Sequence, residues 1–243
     1  MRFYYDLHIH SLLSPCGDDD MTPNNIVNMS LINELDIIAL SDHNTCANTP
    51  AVSALAQNAG LVFLAGVEVE TVEEIHVLCL FPCVEKALLF ENDVLRPALP
   101  DIKNNERIFG TQVIMNENDE NIGSDDRYLI NATTVDFDNI RSLADSYGGV
   151  AVPAHIDKQT KSVMSMLGMV DKSMGFNTFE LSKNAPSDYA DTTFSIKGMG
   201  YNFIHDSDAH YLTDISERGE YNFFEFDTRP TPEEIIQFIK EGQ

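Results

Sequence analysis

An α/β fold closed as a parallel sheet or barrel is predicted by two features of the sequence: short β-rich runs alternate with helical segments, and several helices carry explicit start signals. The chain length agrees, since 243 residues with 43% apolar content can bury one substantial core, and barrels of this size are commonly one domain. The runs at 3–7, 36–40, 61–67, 75–81, 149–154, 178–181, 201–204 and 221–226 read as strands. Helices are expected after Thr22-Pro23, Thr49-Pro50 and Thr231-Pro232, where threonine caps free backbone N–H groups and proline suits the first helical position. Gly60 is placed to close the second of these. A further helix at 138–147 runs into Gly148-Gly149, which fits a left-handed cap before a buried strand.

The stretch 91–134 breaks this alternation. It is polar and acidic, and a hairpin is expected within it from 111–115, a turn at 116–121, and 128–132. It reads as an insertion on one domain spanning 1–243, serving either as a solvated excursion or as a lid or partner surface near the site.

Composition excludes several classes. The net charge of −24 repels long polyanions, so extended nucleic-acid binding is disfavoured, while a small phosphorylated molecule or the end of an oligonucleotide stays within reach if bound metals supply local positive charge. No apolar run is long enough to span a bilayer and no export signal is evident, so a soluble cytoplasmic protein is expected. The four cysteines do not form a disulfide framework pattern and are expected to be reduced.

Six of the seven histidines fall on or just after predicted strands. His8 and His10 lie two apart at the end of the first strand and so face one side. The second strand runs into Ser41-Asp42-His43-Asn44, the third delivers Glu68 (with Glu70 of the same parity), and His76 sits on the fourth. His155 ends a later strand, and Asp208 and His210 follow another. In parallel barrels the C-terminal ends of the strands form the active site. Imidazole mixed with carboxylate suits zinc, manganese or iron, and two or three divalent ions are expected. His205 has the opposite parity and is assigned a structural role. Glu180, inside an apolar strand, either supports the site from behind or forms a salt bridge. Lys158 and Lys183 follow strands and are candidate phosphate contacts.

Asp6-Leu7-His8-Ile9-His10-Ser11, Ser41-Asp42-His43-Asn44, Gly66-Val67-Glu68, Pro153-Ala154-His155 and Ser207-Asp208-Ala209-His210, taken in order, resemble the PHP (polymerase and histidinol phosphatase) family. The resemblance covers nearly all of the chain outside the insertion. It implies a distorted (β/α)7 TIM-like barrel with a trinuclear metal centre. By that resemblance His8, His10, Glu68 and Asp208 would hold one metal, Glu68, His76 and His155 a second, and His43 and His210 part of a third. One position departs from the pattern: Cys16 stands where relatives carry histidine or aspartate. A thiolate ligand, a bystander cysteine, and Asp18 after a small loop shift all remain open there.

The activity implied is that of a metal-dependent phosphoesterase acting on a small phosphomonoester or a short oligonucleotide, with hydroxide bridging two metals as nucleophile. Asp42, adjacent to His43, would orient that ligand or carry a proton. The alternatives are a metal-binding regulatory or interaction module without turnover, and an amidohydrolase acting on amides or lactones.

Overall fold

The computed structural model describes residues 1–242. Ten strands form it: β1 (Arg2–Ile9), β2 (Ile37–Leu40), β3 (Val62–Glu70), β4 (His76–Phe81), β5 (Gln112–Met115), β6 (Asn121–Asp125), β7 (Val150–Pro153), β8 (Thr178–Ser182), β9 (Asn202–Asp206) and β10 (Phe223–Glu225). Six of them make one curled sheet in the order β10-β1-β2-β3-β4-β7, and β8 and β9 make a separate parallel pair. Contacts on both sides attach that pair to the sheet, among them Leu7 N–H donating to Asp206 Oδ1 and His205 N–H donating to Tyr5 Oη. Ile156 N–H donates to Glu180 O, and Ile9 bridges Ala209.

The sheet is therefore not the continuous parallel ring expected. One reason is β4, antiparallel to both β3 and β7. Only five residues, Thr71 to Ile75, separate β3 from β4, too few for the crossover a parallel pair needs. They close a turn through the Thr71–Ile75 and Glu74–Thr71 backbone hydrogen bonds. The other reason is β10, which takes the free edge of β1 at Arg2–Tyr4, so the β9 side meets β1 through side chains at Tyr5 and Leu7 and bridges it backbone to backbone only at Ile9.

The interior face of the strands changes character along its length. Phe3, Tyr5, Leu7, Ile37, Val62, Leu64, Leu78, Leu80, Val150, Val152 and Ile204 form an apolar cluster closed from below by Ile235, Ile236 and Ile239 of the helix Pro232–Glu241. The outward faces pack a larger cluster against the helices Pro23–Ile32, Thr49–Ala59 and Phe137–Ser146. Above the inner cluster the same strand faces carry polar groups. On β3, Val62 and Leu64 are followed at the same parity by Glu68 and Glu70.

Thr22 caps its helix by accepting from Asn25 N–H, and Thr231 forms a capping box with Glu234. The middle Thr-Pro signal behaves differently: Thr49 lies inside the helix Thr49–Ala59 and its hydroxyl donates to Cys46 O. Gly60 ends that helix with φ +78°. The insertion contains the expected hairpin with a different second strand. Asn116 and Glu120 close the turn on each other, so pairing starts at Asn121, and 128–132 is not a strand. No helix among the described residues is long and apolar enough to cross a membrane.

Candidate metal centre

The end of β1 positions two imidazoles by a break in its pairing. Its register with β2 shifts between Asp6 and Ile9, and such a bulge re-aims the side chains beyond it. Phe3, Tyr5 and Leu7 belong to the inner cluster whereas Ile9 belongs to the outer one, which leaves His8 and His10 on the inner side. Both are fully buried. On β3, Gly66 permits the approach that follows: a Cβ there would lie 2.4 Å from Ser41 Oγ and 2.7 Å from Leu40 O. Glu68 is thereby held beside the end of β2, where His43 bridges to it. The reversal of β4 puts its first residue, His76, at the same end of the sheet as the last residues of β1, β2 and β3. β7 reverses again, and His155 follows it. Asn44, His155 and Asp208 all have positive φ (53°, 29° and 53°), a conformation costing roughly 1–3 kcal/mol each for side chains of this kind.

The result is a cluster centred on Glu68. Its Oε1 lies 2.7 Å from His76 Nδ1, 3.2 Å from His155 Nε2 and 3.3 Å from His8 Nε2, and its Oε2 lies 2.9 Å from His43 Nδ1 and 3.4 Å from His10 Nε2. Asp208 Oδ1 lies 3.1 Å from His10 Nε2 and 3.5 Å from His8 Nε2. His10 and His210 stack with ring centroids 4.3 Å apart. Three groups have ligand atoms within 4.8 Å of one another: His8, His10, Glu68 and Asp208; His43, Glu68 and His76; and His10, His43 and His210. The first is the set the resemblance implied. In the second, His43 stands where His155 was expected.

These residues fit divalent ions, on two observations. His43 Nδ1, Glu68 Oε2, both ring nitrogens of His76 and His155 Nδ1 are buried without a hydrogen-bond partner, although several lie under 3 Å from one another. Lone pairs converging in this way are matched by a cation rather than by each other. The second observation is electrostatic. Burial alone would raise the Glu68 carboxyl, but His76, His8 and His43 hold it well below the usual range. Burial opposes charge at His8 too, yet Glu180, Glu68 and Asp208 push it well above an ordinary imidazole. His10 is driven well below by burial and by His210 and His43.

Two buried carboxylates fix ring orientation from behind. Both oxygens of Glu180 lie 3.0 Å from His8 Nδ1, leaving Nε2 to face Glu68 and Asp208. Asp42 accepts from Ser11 N–H, Ser11 Oγ and Ser14 Oγ, each at 2.7 Å. Ser14 has a single proton and gives it to Asp42, so it accepts from His10 Nδ1–H at 3.0 Å and from His43 N–H at 3.1 Å. His10 therefore keeps its Nε2 lone pair for the cluster. Asp42, expected to orient His43 or carry a proton, reaches both the His10 ring and the His43 backbone through Ser14. Reading the sequence missed Ser14, whose only signal is a second hydroxyl three residues beyond Ser11.

A cavity of about 240 Å3 opens onto the cluster, lined by Cys16, His43, Glu68, His76, His155, Asp208 and His210 together with Ile130, Lys158, Thr160 and Lys161. Cys16 faces it: burial raises its thiol, but hydrogen bonds with His210 and His43 bring it down to about 7. Asp18 turns away, its carboxylate accepting from Asp20 N–H. Lys158 pairs with Asp208, and Lys161, which sequence reading passed over, binds Glu70 at 2.6 Å. Lys183 is not brought to the cavity. It lines a separate depression with His205 and Tyr221 and donates to Asp214 O. His205 packs against Tyr221 with the rings tilted by 32°, apart from the cluster. Ile130 comes from the insertion, which Asn44 anchors beside the site by donating to Leu129 O and Asn131 O.

Residues 6–159 match the family model of the PHP domain. Among curated proteins, none matches the chain. Solved structures do. The lesion-specific endonuclease Q of Pyrococcus furiosus is 21% identical with a TM-score of 0.70, over 99% of this chain and 56% of that one. An endonuclease Q complex with a 27-mer duplex carrying an abasic lesion gives 21% and 0.69, over 99% and 57%. A provisionally assigned metal-dependent phosphoesterase from Bifidobacterium adolescentis is 19% identical with a TM-score of 0.57, over 90% and 91%. The chain thus spans a little over half the length of the endonucleases.

Proposed function

The chain belongs to the PHP domain family, and on that premise we propose that it is a metal-dependent hydrolase, a phosphoesterase acting on a small phosphomonoester or a short oligonucleotide. The observation that carries this reading is the convergence of six imidazoles, Glu68 and Asp208 at one end of the sheet, open to a cavity flanked by lysines. His8, His10, Glu68 and Asp208 would hold one ion and Glu68 with His76, His43 and His155 a second. His43 and His210 would contribute to a third, with Cys16 rather than Asp18 beside them. Zinc, manganese and iron all suit these donors. When bound, such ions lower the pKa of a coordinated water and neutralise phosphate oxygens.

The protein groups have distinct tasks. Glu180 and the Asp42–Ser14 pair hold His8 and His10 in the tautomer that presents Nε2. Lys158, paired with Asp208, is placed to receive a phosphate oxygen once the charge of Asp208 is neutralised. Lys161 stands at the same wall, paired with Glu70 and Glu74. Ile130 also lines the cavity, so the insertion contributes to pocket shape. The similar structures, a lesion-specific endonuclease and a provisionally assigned metal-dependent phosphoesterase, support phosphoester chemistry.

The test is turnover of a panel of nucleoside monophosphates, cyclic nucleotides, histidinol phosphate, short oligonucleotides, amides and lactones, before and after stripping the protein with a chelator. Hydrolysis of a phosphoester that disappears on stripping and returns with zinc or manganese is the expected result. Metal binding without turnover of any phosphoester would instead favour a regulatory module.

A further inference from the structure

Asn48 stands at the N-cap position of the helix Thr49–Ala59, where an asparagine ordinarily accepts from the first free N–H groups, yet its side chain makes no such bond. It is fully buried and engaged elsewhere, between the metal centre and the insertion. Its Nδ2 donates to Ser11 Oγ at 3.0 Å and to Val113 O at 3.3 Å, and its Oδ1 accepts from Met115 N–H at 2.9 Å. Ser11 Oγ gives its one proton to Asp42 Oδ2, so its lone pairs take the Asn48 amide and Leu13 N–H. An unbroken chain of hydrogen bonds thus runs from β5 of the insertion through Asn48, Ser11, Asp42 and Ser14 to the ring of His10 and the backbone of His43.

The far end of the same hairpin is fastened as well. At its turn, Asp119 Oδ2 accepts from Thr22 Oγ1 at 2.8 Å and Asp119 Oδ1 from Asn24 N–H at 3.1 Å, while Asn24 Nδ2 donates to Glu117 O at 2.9 Å. Thr22 and Asn24 begin the helix Pro23–Ile32. One hairpin therefore holds both ends of the loop between β1 and that helix, at Ser11 through Asn48 and at Thr22 through Asp119. Between those ends lie Ser14, which orients His10, and Cys16, which lines the cavity beside His43 and His210.

We propose that the insertion hairpin braces the metal centre and that Asn48 is the positioning residue through which it acts. With the hairpin seated, Asn48 fixes Ser11 Oγ, Asp42 is held where Ser14 donates to it, and His10 keeps Nε2 toward Glu68 and Asp208. An excursion free in solvent would need neither the buried amide at its root nor the carboxylate clamp at its tip. The proposal rests on reading the cluster as a metal centre and is independent of which phosphoester is cleaved.

Zinc affinity of the full chain, measured by competition with a chromophoric chelator beside the melting temperature of the metal-free protein, tests it. Asn48→Ala should weaken zinc binding about fivefold, the effect of one net hydrogen bond. Asp119→Ala, which touches no candidate ligand, should weaken it about two- to threefold. In a Ser14→Ala background, Asn48→Ala should add less than about twofold, because its route to His10 is already cut. An asparagine serving only the fold would lower affinity by the same factor in both backgrounds, in step with metal-free stability, and that additivity would overturn the proposal. Should Asn48→Ala fail to fold, Asp119→Ala at the half-buried tip decides alone: unchanged zinc affinity there would also overturn it. Wild-type protein that binds no zinc would remove the centre and the brace together, whereas tight wild-type binding that neither variant alters would remove the brace alone.

Discussion

Glu180 separates metal binding from folding in a measurable way. Its two oxygens hold His8 Nδ1 at 3.0 Å in a fully buried setting, so His8 presents Nε2 to Glu68 and Asp208. The same carboxylate lies close to Asp206, whose own carboxyl is pushed well above its usual pKa by burial and then by Glu180. Substituting Glu180→Gln keeps an oxygen that can accept from His8 but removes the charge. Hydrogen bonds to charged groups are worth about 1.5–3 kcal/mol, and partners of metal-ligating histidines typically carry about 10–100-fold in affinity, which agree at about 1.4 kcal/mol per decade. Zinc affinity, measured by competition with a chromophoric chelator, should fall about tenfold in Glu180→Gln and further in Glu180→Ala. The melting temperature of metal-free Glu180→Gln should change little, because the attraction lost to His8 is offset by the relieved repulsion with Asp206. Zinc affinity within twofold of wild type would refute the positioning role, and a parallel loss of affinity and metal-free stability would assign Glu180 to folding instead.

Three further outcomes are expected. In metal-free protein the raised pKa of His8, His43 and His76, where carboxylates outweigh burial, stabilises fully below the unfolded imidazole value of about 6.5 and is lost as pH rises through the folded values. Glu68 and Asp208, depressed by their imidazoles, keep their contribution over that range and lose it only in acid. Chelated protein should therefore melt lower at about pH 9 than at about pH 6, and zinc-loaded protein should not follow it; equal melting of the chelated form at both would contradict this. His205→Ala should leave zinc stoichiometry unchanged, since its ring packs against Tyr221, and a lost equivalent by elemental analysis would count against that placement. Arg96 joins Glu91 of the insertion's first turn to Asp125 of β6 and reaches Thr45. Arg96→Ala leaves two buried carboxylates facing each other; with Arg96 28% exposed, about 2–3 kcal/mol should be lost in urea unfolding, below the roughly 3–5 of a fully buried pair, and a loss under about 0.5 would be inconsistent with the bridge.

Much of the site was legible because strand periodicity and strand ends are local properties. His8 and His10, His155, and Asp208 with His210 could be placed at one end of the strands from spacing, only the Gly66-Val67-Glu68 pattern chose Glu68 over Glu70, and the opposite parity of His205 removed it. His76 was identified without its reason. It starts β4 rather than ending it, and only the hairpin imposed by the five residues after Glu70 brings it to the same end. The partners that aim the rings were less accessible. Asp42 reaches His10 only because Ser14 folds back under it, a contact made by the loop after β1 and not by any repeat in the sequence. Of the distorted seven-stranded barrel that the resemblance implied, a curled six-stranded sheet with a separate parallel pair is what forms, for a related reason. Eight strand-like runs were found correctly, but pairing depends on β10 taking the edge of β1, which no single run encodes. The second strand of the insertion hairpin was displaced because the turn closes between Asn116 and Glu120.

Element-resolved anomalous diffraction from crystals of zinc- or manganese-loaded protein tests the central claim most directly. Two or three peaks are expected among His8, His10, His43, Glu68, His76, His155, Asp208 and His210, with Glu68 touching more than one. Peaks confined to other surface sites, with these side chains hydrogen-bonded only to one another, would contradict the existence of the centre.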